Sequence, residues 1–167
     1  PQVRNCDQPI VDLVLIIGGF LGLAICVAAS VVDIREYRIP NRLVAVGVVG
    51  LLLVLAVASV VEGGWQPLLF GLAGGAAFFA VYLLLAVISP RGMGMGDVKL
   101  AAVVGLMLGP LGLAASFVGF YAAFVAGALF GLVRILVQRG GLRSKLPFAP
   151  FMTVGAALGL MWPVIGG

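Results

Sequence analysis

The chain consists of long apolar runs separated by short polar segments, and this pattern predicts helices that cross a membrane. At a rise of ~1.5 Å per residue, about 20 apolar residues span the ~30 Å hydrocarbon core of a bilayer. We therefore expect an all-α integral membrane protein, a six-transmembrane-helix bundle that forms a single domain over residues 1–167. The six helices are predicted at about residues 10–32, 43–61, 68–88, 98–108, 111–137 and 151–165.

The fourth predicted helix is short. The apolar stretch after Lys99 continues to Val137, which is too long for one span, and Gly109-Pro110 is the expected break. The part before this break covers only about half of the bilayer by helix rise. We therefore expect a short fourth helix, which follows a glycine-rich turn on the cytoplasmic side, and a longer fifth helix.

Pairs of glycines four residues apart recur within the apolar runs. In lipid, small residues at this spacing allow two helices to approach closely. The pairs predict close helix packing and are Gly18 with Gly22, Gly71 with Gly75, Gly105 with Gly109, Gly127 with Gly131, and Gly155 with Gly159.

Charged residues indicate which side of the membrane each loop faces, because Lys and Arg favour cytoplasmic loops. Apart from Arg4, the basic residues lie around the loops after helices one, three and five. The three groups are Arg35, Arg38 and Arg42; Arg91 and Lys99; and Arg134, Arg139, Arg143 and Lys145. The acids Asp7, Asp12 and Glu62 fall on the opposite side, so we expect both chain ends outside.

Composition supports a membrane protein and argues against several other classes. Hydrophobic residues make up 63% and charged residues 10% of the chain. The net charge of +4 does not indicate nucleic-acid binding, because the basic residues lie in short loops between apolar spans. The sequence has no histidine, and Cys6 and Cys26 lie far apart. We therefore expect neither a metal site nor a Cys–His nucleophile pair, and no cofactor.

Two carboxylates are the candidate catalytic residues. Asp33 closes the first predicted helix and Asp97 opens the fourth, at the same cytoplasmic edge. Acids at this depth are costly, and their default interpretation is functional. Two carboxyl groups that share one proton can activate water against a peptide carbonyl and protonate the leaving nitrogen. Because a helix C-terminus disfavours negative charge and an N-terminus favours it, we expect Asp33 to hold the shared proton more often and Asp97 to be ionised more often.

The segment before Asp97 has glycine at alternate positions, Gly92, Gly94 and Gly96, with Met95 between the last two. Bare glycine backbone offers a surface against which an extended peptide could lie. Lys99 falls on a different helical face from Asp97, where it could anchor the helix by its charge or hold substrate.

Other interpretations remain open from the residues alone. Asp97 could simply cap the fourth helix, and Asp33 could pair with Arg35 or Arg38. A small carrier or channel could use the two acids as proton or cation ligands beside unwound glycine backbone. The position of the acids at one membrane edge and the lack of a visible inverted repeat weigh against a carrier. A non-catalytic assembly subunit would need no paired acids.

Three segments in the same order resemble a known family. Gly94-Met95-Gly96-Asp97 matches the GxGD motif of the intramembrane aspartyl proteases, and residues 92–100 resemble the type IV prepilin peptidases in particular. Asp33 with Ile39-Pro40-Asn41 resembles that family's first catalytic aspartate and the segment after it. Pro147-Phe148-Ala149-Pro150-Phe151 resembles the proline-rich entry to the family's last helix. The resemblance covers nearly all of the chain from helix one onward.

The resemblance implies an aspartic-type endopeptidase in a bacterial or archaeal inner membrane. It would remove leader peptides from prepilins or pseudopilins at the cytoplasmic face, in type IV pilus assembly or protein secretion, with no nucleic acid involved. Asp33 and Asp97 would be catalytic, and the expected substrate-binding or loop residues are Gly94, Met95, Gly96, Lys99, Pro40 and Asn41.

One departure from the family pattern concerns cysteine. Long members carry an N-terminal cytoplasmic domain with paired cysteine motifs and also N-methylate the mature pilin. No CxxC pair occurs in this sequence. The resemblance therefore indicates a short form without that domain, for which methyltransferase activity is not expected.

Overall fold

A computed structural model of the protein describes residues 8–36, 39–88, 94–137 and 148–166. Within these ranges the chain is helical and has no strand, which confirms the all-α prediction. A 3-10 turn, Gly109–Leu111, joins the fourth helix to the fifth. The helices are α1 (Gln8–Glu36), α2 (Asn41–Glu62), α3 (Gln66–Ile88), α4 (Met95–Leu108), α5 (Leu113–Val137) and α6 (Ala149–Ile165).

Four of the helices, α1, α2, α3 and α5, are long and apolar enough to cross a membrane. α6 is a shorter apolar helix of 17 residues. α4 has 14 residues, a rise of about 21 Å, so the prediction of a short fourth helix is confirmed. Many large apolar side chains on the outside of the bundle are exposed, as expected for a surface that faces lipid. The chain is a multi-pass membrane protein.

The predicted helix ends agree with the structure to within a few residues, and two differences affect the candidate site. α1 continues past Asp33 to Glu36, and Asp33 lies within its last turn. α4 begins at Met95, before Asp97, and Asp97 lies within its first turn. Hydropathy marks where apolar residues stop, whereas a helix ends where its backbone hydrogen bonds stop.

α4 is the central helix of the bundle and packs against α1, α2, α3 and α6. Its residues are buried almost without interruption, including Leu100, Val103 and Leu108. The closest approach is to α3, where a Cβ atom added to Gly74 or Gly105 would collide with the backbone of the other helix. Glycine at both positions therefore allows the two backbones to touch. Gly105 belongs to one of the predicted glycine pairs, whereas Gly74 does not.

The alternating direction of the helices collects six helix ends at one end of the bundle, among them those that carry the candidate site. The end of α1 and the starts of α2, α4 and α6 all lie there. Among the described residues, hydrogen bonds between helices at this end join Lys99 to Asn41 and Ala149 to Asp33. At the other end, α2 and α3 are joined by a tight turn in which Gly63 adopts the left-handed conformation, with φ 69°. Both candidate aspartates therefore lie at the same end of the bundle.

Candidate active site

Asp33 lies on α1 and is 7% exposed. Its Oδ2 atom accepts a long hydrogen bond, 3.4 Å, from the backbone N–H of Ala149, the first residue of α6. The N–H groups at the start of a helix have no partner within the helix, and they favour negative charge. α6 therefore supplies a backbone donor to a buried carboxyl group of α1. The hydrogen bond that the structure describes for Asp33 is to this backbone and not to Arg35; Arg38 lies outside the described residues.

Asp97 is the third residue of α4 and is likewise 7% exposed. Its Oδ2 atom accepts a hydrogen bond of 3.1 Å from the N–H of Gly94, the residue that caps α4. The Asp97 N–H in turn donates to the Gly94 carbonyl at 3.1 Å. Asp97 therefore does cap α4, which was the alternative to a catalytic role. It uses only one carboxylate oxygen, because Oδ1 is buried and has no hydrogen-bond partner among the described residues.

Both carboxyl groups are buried at the same end of the bundle, and this environment affects the ionisation of Asp97. Burial raises the pKa of Asp97 to about 6, the Gly94 N–H opposes this rise, and the charge of Asp33 adds to it. Asp97 lies outside the four helices that are long enough to cross the membrane. A raised pKa at a pair of buried acids is a feature of functional sites, where one carboxyl group keeps a proton near neutral pH.

The hypothesis that Asp33 holds the shared proton loses its basis in this geometry. It compared only the ends of the helices that carry the two acids. The structure adds a second helix N-terminus, that of α6, beside Asp33. Each carboxyl group therefore accepts a backbone N–H at a helix start, from Ala149 or from Gly94. The helix-end difference no longer assigns the proton to either residue.

The glycine-rich segment enters α4 beside Asp97, and Gly92 lies outside the described residues. Gly94 has an extended backbone, with φ −82° and ψ 152°. Met95 follows as the first residue of α4 and is 56% exposed. Gly96 packs on Ile39, because a Cβ atom at Gly96 would lie 3.0 Å from the Ile39 Cβ atom. The structure thus places these predicted loop residues around Asp97 and against the start of α2.

Lys99 of α4 contacts Asn41 at the start of α2, directly after Pro40. The Lys99 Nζ atom donates a hydrogen bond of 2.9 Å to Oδ1 of Asn41. Pro40 caps α2, and its carbonyl accepts the N–H of Leu43 at 3.1 Å. The sequence did not indicate the Lys99–Asn41 pair, because the two residues lie far apart in the chain.

Three residues beside Asp33 were not predicted as part of the site. They are Ala149, through its backbone N–H, and the hydroxyl residues Ser30 and Thr153. The resemblance marked the segment around Ala149 only as a helix entry. Among the described residues, no group of three or more His, Cys, Asp or Glu side chains lies together in a way that could hold a metal ion.

These features define a class of protein, a helical multi-pass membrane protein with two buried carboxyl groups at one end of its bundle. Residues 20–132 match the type IV leader peptidase family. The chain belongs to this family.

Curated relatives from several bacteria share the name prepilin leader peptidase/N-methyltransferase. The chain is 39% identical over 145 residues to a prepilin leader peptidase/N-methyltransferase of Bacillus subtilis (strain 168), a match that covers 86% of this chain and 54% of the relative. It is 29% identical over 144 residues to the protein of that name in Pseudomonas putida, covering 81% of this chain and 46% of the relative. For Aeromonas salmonicida (strain A449) the identity is 27% over 143 residues, covering 83% and 46%.

The chain spans about half the length of the curated relatives it matches. No solved structure matches this chain.

Proposed function

We propose that this protein is an aspartic-type endopeptidase that removes leader peptides from type IV prepilins or pseudopilins. The observation that carries the proposal is the pair Asp33 and Asp97, both buried at one end of the bundle and both within segments that resemble the family's catalytic motifs. Family membership and the printed names of the relatives support the substrate class. Methyltransferase activity is not part of the proposal.

In the proposed reaction the two carboxyl groups carry one proton between them. The ionised carboxylate takes a proton from a water molecule, and the water oxygen attacks the carbonyl carbon of the scissile peptide bond. The protonated carboxyl group donates a hydrogen bond to the carbonyl oxygen, and the leaving nitrogen is protonated as the bond breaks. The Oδ1 atom of Asp97, buried without a partner among the described residues, supports a role in holding the water or the peptide.

The substrate would lie extended beside the entry to α4. Support comes from the extended backbone of Gly94 and the exposed side chain of Met95 next to Asp97. Gly96 leaves no side chain between this segment and Ile39. The Lys99–Asn41 hydrogen bond and the Pro40 cap would hold the starts of α4 and α2 together around the bound peptide.

The proposed location is the cytoplasmic face of a bacterial or archaeal inner membrane. Arg35, Arg42 and Lys99 lie near the helix ends that carry the two aspartates, whereas Glu62 ends α2 at the other side. The positive-inside rule then favours a cytoplasmic site. No nucleic acid takes part, and the partners are the prepilin and the lipid bilayer.

The proposal is tested with the purified protein in liposomes and a panel of prepilins and pseudopilins from its own organism. We expect a shortened pilin whose new N-terminus follows the leader, and no proton or cation flux into the liposomes. Flux without cleavage of any pilin would contradict the proposal and favour a carrier. A protein that neither cleaves nor conducts would favour an assembly subunit.

A further inference from the structure

A polar cluster lies between α1 and α6, one helical turn from Asp33. The Ser30 Oγ atom donates a hydrogen bond of 2.8 Å to the Cys26 carbonyl and lies 2.7 Å from Oγ1 of Thr153. Thr153 Oγ1 is 3.0 Å from the carbonyl oxygen of Cys26 on α1 and 3.0 Å from that of Ala149 on α6. The Thr153 hydroxyl is therefore within hydrogen-bond distance of atoms on both helices.

The spacing of these residues connects the cluster to Asp33. Ser30 precedes Asp33 by three residues on α1, and Thr153 follows Ala149 by four residues on α6. Residues three or four apart lie on the same face of a helix. The hydroxyl pair and the pair formed by Asp33 and Ala149 are thus neighbouring contacts of the same α1–α6 interface, one helical turn apart.

Hydroxyl residues often bond only to their own helix, and the chain contains an example for comparison. The Ser116 Oγ atom donates to the carbonyl of Gly112, four residues earlier, at 3.0 Å. Ser30 makes the same kind of bond to Cys26 but also contacts Thr153 on another helix. Thr153 could satisfy its hydroxyl within α6, yet it lies against α1 as well. Hydrogen bonds within a single helix therefore do not account for the contacts that Ser30 and Thr153 make between α1 and α6.

The cluster would control the hydrogen bond from the Ala149 N–H to Asp33, and this bond is sensitive to small shifts of α6. The distance from the Ala149 nitrogen to Oδ2 of Asp33 is 3.4 Å, near the upper limit for a hydrogen bond. A movement of α6 away from α1 by a few tenths of an ångström would break it. Asp33 would then lose the backbone donor that the structure describes for its buried carboxyl group.

We propose that Thr153 and Ser30 are positioning residues, which hold the start of α6 against α1 so that the Ala149 N–H meets the carboxyl group of Asp33. This inference rests on the proposed function for its effect on catalysis. The hydroxyl groups act through Ala149 and do not touch the reacting atoms. Their loss should therefore lower the rate of peptide cleavage more than it weakens substrate binding.

The test compares Thr153→Val, which removes the hydroxyl, with Thr153→Ser, which keeps it. Ser116→Ala is the matched control, because the bond that the structure describes for its hydroxyl is to Gly112, directly before its own helix. For cleavage of a prepilin we expect Thr153→Val to lower kcat about fivefold, the size of one interhelical hydrogen bond, with KM within about twofold. Thr153→Ser and Ser116→Ala should retain the kcat of the original protein. An unchanged kcat in folded Thr153→Val would overturn the inference.

A second readout needs no substrate. The infrared carboxyl band of Asp33 can be assigned from its loss in Asp33→Asn. We expect Thr153→Val to shift this band, and Thr153→Ser and Ser116→Ala to leave it in place. A shifted band in a protein that cleaves no pilin would support the positioning role and contradict the peptidase proposal. A band that does not move in Thr153→Val would contradict the positioning role, whether or not the protein cleaves.

Discussion

Asp97 caps α4, and the proposed reaction gives the same residue a catalytic role. Its Oδ2 atom accepts the Gly94 N–H and so caps α4, while its Oδ1 atom has no partner among the described residues. The cap restricts the rotation of the carboxyl group, so that Oδ1 keeps one direction. A capping aspartate is therefore well suited to hold a reactive oxygen in place.

The Gly94 N–H should control the pH dependence of cleavage. Gly94 has φ −82°, which proline can adopt, and Gly94→Pro removes the N–H donor. Because this N–H stabilises the ionised form, its loss raises the pKa of Asp97 further above its value of about 6. Less of the ionised form is then present at a given acidic pH. We expect the acid limb of the pH–activity profile to move up by about one pH unit.

Gly94→Ala is the matched control for this prediction, since it keeps the N–H. A Cβ atom at Gly94 would lie 3.5 Å from Oδ2 of Asp97, an ordinary contact. Its acid limb should coincide with that of the original protein. If Gly94→Pro and Gly94→Ala gave the same limb, the hydrogen bond would have no part in setting the ionisation of Asp97.

Among individual residues, the sequence indicated the two acids but not the backbone N–H of Ala149, which donates a hydrogen bond to Asp33. Asp33 and Asp97 stand out because few acids occur in so apolar a chain. The N–H of Ala149 does not stand out, because every residue but proline has one. Its function depends on which helix start meets α1, and that is a property of the packed bundle.

At the element scale, α4 depends on glycine for its position. Gly105 faces Gly74 on α3 so closely that an added Cβ atom would meet backbone atoms. Backbone cannot move aside as a flexible side chain can. The helix that carries Asp97 is therefore held by contacts that leave no room for a methyl group.

We expect Gly105→Ala to destabilise the protein by about 1–3 kcal/mol, as overpacking does in other cores. Gly64→Ala makes the same change where nothing lies within 4 Å, and it should alter the stability by less than about 0.5 kcal/mol. Thermal unfolding in detergent measures both. Equal stability of the two variants would show that α3 and α4 are not packed as described.

Helix ends were predictable only approximately, and the error matters at the site. The hydropathy pattern made Asp33 the end of α1 and Asp97 the start of α4, whereas α1 continues to Glu36 and α4 begins at Met95. Asp97 itself extends α4 towards the glycine-rich segment by accepting the N–H of Gly94. Such capping bonds depend on side-chain geometry and leave little trace in an apolar pattern.

At the scale of the whole molecule, the up-and-down course of the helices brings the site together. Short connections force consecutive helices to reverse direction, so the end of α1 and the start of α4 lie at the same end. The order of apolar runs in the sequence already predicted that these two helix ends lie together. The central position of α4 did not, because a uniformly apolar helix shows no face that distinguishes lipid from protein.

The predicted orientation can be measured with single cysteines in a background that carries Cys6→Ser and Cys26→Ala. Arg42, at the start of α2, and Gln66, at the start of α3, are both exposed and lie at opposite ends of the bundle. With an impermeant thiol reagent on intact cells, we expect Gln66→Cys to be labelled and Arg42→Cys to be protected. Disruption of the cells should make Arg42→Cys reactive. The reverse pattern would place the aspartates outside.

The central claim is that Asp33 and Asp97 act together on a peptide bond. The most direct test expresses a prepilin with the original protein, with Asp33→Asn and with Asp97→Asn, and measures the mature pilin while checking that each variant reaches the membrane. Each Asn variant keeps the shape of the side chain and removes the charge, so we expect cleavage to fall by about a thousandfold or more in both. Full cleavage by either variant would remove that residue from the reaction and contradict the claim.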